Sequence, residues 1–248
     1  MPNLDLPDSL VQGQQSIRPR HYAACLHKVK LVQHLYNSSV AILQFVHHVT
    51  PTMTISSIPE PRRPIVHLNG FPGVGKLTIA RSLLKQLPSA KLVHNHLLIN
   101  PADAVLHRTQ PGYQNLRRGI RSSIFSALAN EPATFNTTYI FTDFQSDDDL
   151  GAAVCAEYLA TAEARQAVLV PILLFCDEKT NMERLVSSDR ELHSKLTDVD
   201  LVTQFRREED IHRFTGHPNY LELDVSNFTP EEAAKRIFEH IRGVCPEV

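Results

Sequence analysis

From residue 65 to the C-terminus, short and almost wholly apolar runs alternate with longer segments whose apolar residues recur every three or four positions. "IVHLN" (65–69) reads as a strand, and "KLTIARSLLKQL" (76–87) as a helix with Ile79, Leu83 and Leu84 on one face. "AKLVHN" (90–95) is a second short strand, followed by an irregular, mainly helical stretch as far as Asn130. "TTYIFTD" (137–143) and "AVLVPILLFC" (167–176) are apolar at most positions, the pattern of strands covered on both faces. "DLGAAVCAEYLATAEARQ" between them is a helix, "NYLELDV" (219–225) the last strand, and "TPEEAAKRIFEHIRG" a closing helix. That last helix opens on a capping box, Thr229 with Glu232, has Pro230 in its first turn, and is expected to stop at Gly243. Strands and helices in this alternation specify an α/β fold, a parallel sheet with helices on both faces.

Residues 1–63 do not share this rhythm. "CLHKVKLVQHLYNSSVAILQFVHH" has apolar residues for one amphipathic helix, over about residues 25–46, but too few to build a core alone. "TISSIPEPRRP" then forms a polar, proline-rich linker. The expected organisation is an N-terminal extension over 1–63, partly disordered, and a single domain over 64–248. Met53 stands just before the linker, as an alternative start would, so the extension is expected to be dispensable.

Composition removes several classes of function. With 42% hydrophobic and 21% charged residues the chain can pack an ordinary globular core. A formal net charge of −2 gives no general attraction to polyanions, so no nucleic-acid partner is expected. Cys25, Cys155, Cys176 and Cys245 lie far apart, with neither a CxxC pair nor metal-ligand spacing, which fits reduced thiols. No apolar run approaches the roughly 18 residues that span a bilayer, and "MPNLDLPDSL" has two aspartates and no basic start. A cytoplasmic protein without membrane contact is the expectation; protein partners are left open.

The chemistry is concentrated at "GFPGVGKLT", between the first strand and the first helix. Gly70, Gly75 and Lys76 have the spacing of a GxxxxGK[ST] phosphate loop, but Leu77 follows the lysine and the hydroxyl comes one position later, at Thr78. A strand ahead and an amphipathic helix behind are the context this motif requires. Gly70, Gly73 and Gly75 permit positive φ, so backbone N–H groups can close around phosphate oxygens, and the helix start adds its positive dipole end. The whole segment Gly70, Phe71, Pro72, Gly73, Val74, Gly75, Lys76, Leu77 and Thr78 is the candidate nucleotide-binding loop, with Lys76 reaching the outer phosphates.

This loop resembles that of adenylate kinases, GxPGxGKGT, in which the residue after lysine is likewise not a hydroxyl and threonine comes next. In overall layout the chain is also similar to gluconate kinases, shikimate kinases and chloramphenicol phosphotransferases. The stretches "NGFPGVGKLTIAR", "NHLLI", "YIFTD" and "KLTD" look most like a group of fungal proteins predicted to be P-loop kinases, over about residues 64–242. The resemblance implies a P-loop NTPase fold, a five-stranded parallel sheet of order 2-3-1-4-5, with ATP and Mg²⁺ as cofactors. It further implies that Thr78 contacts an inner phosphate and that Mg²⁺ is held mainly through water and one acidic residue. On this reading Leu77 marks a subtype of the loop.

Asp143, which closes "YIFTD", is the candidate for that acidic residue; it is similar in place to the aspartate of "LIDGFP" in adenylate kinases, at the crevice where parallel sheets bind ligands. Gln145 beside it is placed to orient substrate or water. Phosphoryl transfer needs positive charge on the moving group, and kinases of this layout deliver it from a lid after the fourth strand. There "NMERLVSSDRELHSKLTDVD" offers Arg184, Arg190 and Lys195, with a helix beginning near Asp198, and Arg206 and Arg207 beyond. The acceptor site is expected after the second strand, where His94, Asn95 and His96 stand in place of the usual carboxylate. His96 is the candidate general base, with Asp103 as the alternative. Arg117, Arg118 and Arg121 can bind an anionic substrate or form an ordinary charged helix face. The expected activity is transfer of the ATP γ-phosphoryl group to a small molecule, most simply a hydroxyl. A nucleoside triphosphate hydrolase or switch, and a nucleotide-binding module without turnover, are the alternatives.

Overall fold

Strand β1 (Arg62–Asn69) is the central strand of a five-stranded sheet of order β2-β3-β1-β4-β5, in which each neighbouring pair is parallel. The other strands are β2 (Ala90–His94), β3 (Thr138–Thr142), β4 (Ala167–Phe175) and β5 (Leu221–Asp224). The order is the one expected from the sequence. The computed structural model describes residues 61–185, 202–203, 206–207 and 210–248, which fall within one compact unit, Pro59–Val248. The helix expected over 25–46, Arg190, Lys195 and the start of a helix near Asp198 lie outside the described residues.

The period of two along β1 sorts its side chains between two cores. Val66 and Leu68 join Ile140, Ile172 and Leu174 against helix α1 (Lys76–Leu84) and the closing helix α6 (Pro230–Val244). Ile65, Tyr139, Phe141 and Leu169 face the other way, onto Phe125 and Leu128 of α3 (Tyr113–Asn130) and Val154 and Tyr158 of α4 (Asp149–Arg165). Each such fully buried aliphatic or aromatic side chain contributes about 1.5–3 kcal/mol, and together they fix which strand ends meet at the crevice.

Local signals agree with the sequence except at the end of the last helix. The stretch up to Asn130 resolves into α2 (His96–Asp103) and α3, separated by a loop that ends on Gly112 at φ 88°. In α6 the capping box is present, with Glu232 N–H donating to Thr229 Oγ1 at 3.2 Å and Thr229 N–H to Glu232 Oε2 at 2.9 Å. The helix does not stop at Gly243, however. That glycine is not among the positive-φ residues, and Cys245 N–H still donates to Ile241 C=O at 2.7 Å, so the intrahelical ladder runs to the end. Helix α4 is capped by Asp148, whose Oδ1 accepts from Gly151 N–H at 2.6 Å.

His67, in the middle of β1, breaks the apolar pattern. It is wholly buried, its ring 4.2 Å from that of Tyr158, and neither ring nitrogen has a hydrogen-bond partner among the described residues. Burial pushes its imidazole down to about 4; the Asp143 carboxylate works against that shift, while His212 and Lys76 add to it. The folded chain therefore refuses a proton that the unfolded chain takes up near pH 6.5, and stability falls as pH drops from about 6.5 toward 4. Between pH 7 and 4.5 the native protein should lose about 2–3 kcal/mol more than His67→Phe, which keeps an aromatic ring and cannot titrate. Denaturant melts at the two pH values check this, and equal losses in both proteins would refute it.

Candidate functional site

Between β1 and α1 the backbone of Gly70–Gly75 turns back over the sheet edge. Gly73 has φ +92°, and a Cβ there would lie 2.5 Å from Asn181 Nδ2; a Cβ on Gly70 would lie 2.4 Å from the Leu174 carbonyl oxygen. Only glycine fits at either point. Val74 N–H donates to Phe71 C=O at 3.3 Å, and the first helical bond of α1 runs from Ile79 N–H to Gly75 C=O at 3.0 Å. The N–H groups from Gly75 to Thr78 thus precede any intrahelical acceptor. No side chain caps this helix, and its first turn has no acidic residue. The Lys76 ammonium donates to the carbonyls of Gly70 and of Phe71, the latter at 2.8 Å, and so spans the mouth of the loop. Leu77 is half-buried and Thr78 is exposed.

Asn181, which the sequence does not single out, and Arg206, a further candidate beyond the lid, wall the loop. Asn181, buried on α5 (Glu178–Leu185), donates to Pro72 C=O at 2.9 Å and accepts from Arg206 at 3.2 Å. Arg206 also donates to Cys176 C=O at 3.2 Å and lies 5.2 Å from the Phe71 ring. Arg184, one of the expected lid arginines, is brought to main-chain carbonyls: it donates to Val74 C=O at 3.1 Å and to Val225 C=O at 2.9 Å. It thereby links the loop to the residues after β5. Arg207 is exposed.

Asp143 leaves β3 beside the end of β1, its N–H donating to Leu68 C=O at 2.9 Å. Asp143 is 2% exposed, and its carboxylate accepts from Phe144 N–H at 2.9 Å and from Tyr158 O–H at 3.3 Å. Burial and this carboxylate push the Tyr158 hydroxyl well above its ordinary range, so it remains a donor at neutral pH. Asn69 clamps the next residue: its Oδ1 accepts from Gln145 N–H at 2.8 Å and its Nδ2 donates to Gln145 C=O at 3.0 Å. The same Nδ2 reaches His212 C=O at 3.2 Å, and the His212 ring lies 3.0 Å from Asp147 Oδ1. Gln145 is therefore held by its main chain. Phe71 and Phe144, with ring centroids 5.7 Å apart, join the loop to the exit of β3.

On the opposite side of β3, His94 ends β2 and His96 opens α2, with ring centroids 6.3 Å apart. Asn95 N–H donates to Thr142 Oγ1 at 3.4 Å, and His96 Nδ1 lies 3.2 Å from Asn100 Oδ1. Asp103 sits at the far end of α2, about 10 Å further along the axis. It accepts from Tyr113 O–H at 2.6 Å and lies 3.9 Å from Arg108. Arg118 and Arg121 meet Glu157 of α4 at 3.0 and 2.5 Å. Burial works to raise the Glu157 carboxyl, but the hydrogen bonds and charges of the two arginines outweigh it and hold the group below its usual range. Among the described residues no three His, Cys, Asp or Glu side chains group as a metal cluster, and no helix is long and apolar enough to cross a membrane.

No protein-family model and no curated protein sequence matches the chain. Among solved structures it is similar to a candidate kinase of Chloroflexus aurantiacus, with TM-score 0.54 and 14% identity over 74% of this chain and 98% of that one. It is also similar to a gluconokinase of Sinorhizobium meliloti, with TM-score 0.50 and 11% identity over 75% of this chain and 95% of that one. These likenesses show the fold, which is that of P-loop kinases.

The close approach of Gly73 to Asn181 makes a prediction independent of any ligand. Gly73→Ala should destabilise the chain by about 1–3 kcal/mol through its positive φ and the clash. Asn181→Ala removes the clashing amide, so the double variant should be more stable than the sum of the single losses by at least about 0.5 kcal/mol. A double-mutant cycle by denaturant unfolding measures this; strict additivity would contradict the described packing.

Proposed function

We propose that the chain is an ATP-dependent kinase that transfers the γ-phosphoryl group to a hydroxyl of a small molecule in the cytoplasm. The observation that carries this reading is the adjacency of β1 and β3. It sets the glycine loop with Lys76 and the Asp143 carboxylate side by side at the C-terminal edge of one sheet. A loop that tolerates no Cβ at Gly70 or Gly73, running into an uncapped helix start, suits phosphate oxygens. The likeness in fold to kinases supports phosphoryl transfer over other uses of such a loop.

The loop N–H groups bind and orient the β- and γ-phosphates, and Lys76 turns from its loop carbonyls to the outer oxygens once they are present. Asp143 is the residue that would hold Mg²⁺, together with water. A single oriented carboxylate fits an ion that keeps several waters and takes the rest of its ligands from phosphate. Bound there, Mg²⁺ would supply charge neutralisation between the phosphates. Tyr158 and the Phe144 N–H position that carboxylate. Arg184 and Asn181 keep the loop wall in place, and charge on the moving group comes from Arg190 of the lid. His96 takes the acceptor proton: it stands at the crevice edge of the sheet, whereas Asp103 is engaged by Tyr113 and Arg108 at the other end of α2.

Formation of ADP from ATP and Mg²⁺, with and without a small-molecule extract, tests the reading. ADP formation stimulated by the extract is the expected result; extract-independent formation would make the chain a hydrolase, and ATP binding without turnover a binding module. Lys76→Ala should nearly abolish turnover while leaving the fold intact. His96→Ala should lower kcat by about 10²–10⁴ with ATP affinity little changed, and Asp103→Ala should retain most of it. The reverse ranking would assign the base to the carboxylate.

A further inference from the structure

His96 stands past the end of β2, the glycine loop past the end of β1, and β3 lies between those two strands. A molecule that bridges His96 and the loop therefore crosses the exit of β3. There a short antiparallel ribbon pairs Ser146 with Ile211: His212 N–H donates to Gln145 C=O at 3.1 Å, and Asp147 N–H to Asp210 C=O at 2.7 Å. Side chains alternate along such a ribbon, so Gln145, Asp147 and His212 share the face opposite Ser146 and Ile211. The Cα atoms of Gln145 and His212 stand about 5–6 Å apart across it.

Two polar side chains on that face are anchored and yet unused. Asn69 binds both main-chain groups of Gln145 and the His212 carbonyl, which ties the backbone of both to the end of β1. Gln145 is only 7% exposed, and no hydrogen bond engages its carboxamide among the described residues, although neither amide atom is wholly shut off from solvent. A polar group held this way is unfavourable unless something else binds it. The His212 ring is steered at one nitrogen: Nδ1 lies 3.0 Å from Asp147 Oδ1, and the ring packs edge-on to Phe214, centroids 5.1 Å apart. A carboxylate only accepts, so Nδ1 carries the hydrogen and Nε2 of the neutral ring presents a lone pair. That Nε2 has no hydrogen-bond partner among the described residues.

A lone pair beside an amide that donates is complementary to one hydroxyl group, which has a hydrogen to give and lone pairs to receive. We propose that Gln145 and His212 bind a hydroxyl of the acceptor other than the one phosphorylated, with Asp147 as the residue that positions the imidazole. The acceptor then carries at least two hydroxyl groups. This takes from the kinase reading only that there is an acceptor; the hydroxyl-binding pair is testable without turnover.

The test follows the His212 imidazole and Gln145 side-chain amide signals of the full ¹⁵N-labelled chain by NMR, saturated with ADP and Mg²⁺. Glycerol, D-glucose and myo-inositol are titrated in turn, with cyclohexanol as the single-hydroxyl control. His212→Phe and Gln145→Leu identify the two signals. Both should move along one saturable curve with at least one polyol and stay in place with cyclohexanol. No saturable movement with any polyol, movement of only one signal, or an equal response to cyclohexanol would overturn the proposal. In the extract-stimulated assay, either variant should raise the amount of extract giving half-stimulation by about tenfold or more, with kcat within about threefold and KM for ATP unchanged. Asp147→Ala should behave like His212→Phe, whereas Asp147→Asn, which still accepts from Nδ1–H, should restore most of the affinity. A fall in kcat at an unchanged half-point would put the pair on the attacking hydroxyl itself and sink the second one. Polyol-saturable signals in a chain that no extract stimulates would keep the hydroxyl site and remove the kinase.

Discussion

Between Gly70 and Gly75 the main chain must double back in conformations closed to ordinary residues while pressed against β4 and α5. A Cβ on Gly70 would enter the Leu174 carbonyl, and one on Gly73 the Asn181 amide. The loop is thus cast against its surroundings, and its shape follows from the sheet behind it and from the two α5 side chains, Asn181 and Arg184, that hold Pro72 and Val74 by their carbonyls. With the carbonyls taken up by the protein, the N–H groups at the start of α1 are left ahead of the first intrahelical bond with no side-chain cap.

The same construction extends to the neighbouring strand. Asn69, the last residue of β1, binds both main-chain groups of Gln145 and the carbonyl of His212, so the loop, the exit of β3 and the segment around His212 share one anchor. Tyr158 reaches up from α4 to the Asp143 carboxylate and stacks on His67. The site is therefore continuous with the core on the α3–α4 face, where the buried His67 imidazole has no hydrogen-bond partner among the described residues.

The parallel sheet with helices on both faces was legible in the sequence because buried parallel strands leave dense apolar runs, whereas the strand order followed from the resemblance of the loop to those of P-loop kinases. The loop was legible because its glycines and Lys76 are adjacent in the chain. What holds the loop was not. Asn181 and Arg206 act on it from more than 100 residues away, through side-chain geometry that no spacing encodes. Asn69 carried a faint signal, a polar residue closing an apolar strand just before Gly70. Arg184 was expected in a lid and is found among the carbonyls of the loop wall, because the C-terminal half of α5, with Asn181 and Leu185, packs against Gly73. The three arginines of α3 looked equivalent in sequence; only the position of Glu157 on α4 separates Arg118 and Arg121 from Arg117.

The central claim is that this loop is a working phosphate cradle in spite of Leu77. A crystal structure of the full chain with a non-hydrolysable ATP analogue and Mg²⁺ tests it most directly. The account predicts the β-phosphate within hydrogen-bond distance, about 2.7–3.2 Å, of the backbone nitrogens between Gly73 and Thr78, with the Lys76 ammonium moved from the Gly70 and Phe71 carbonyls to the phosphates. A nucleotide bound elsewhere, or a loop that stays closed over its own lysine at saturating analogue, would contradict it.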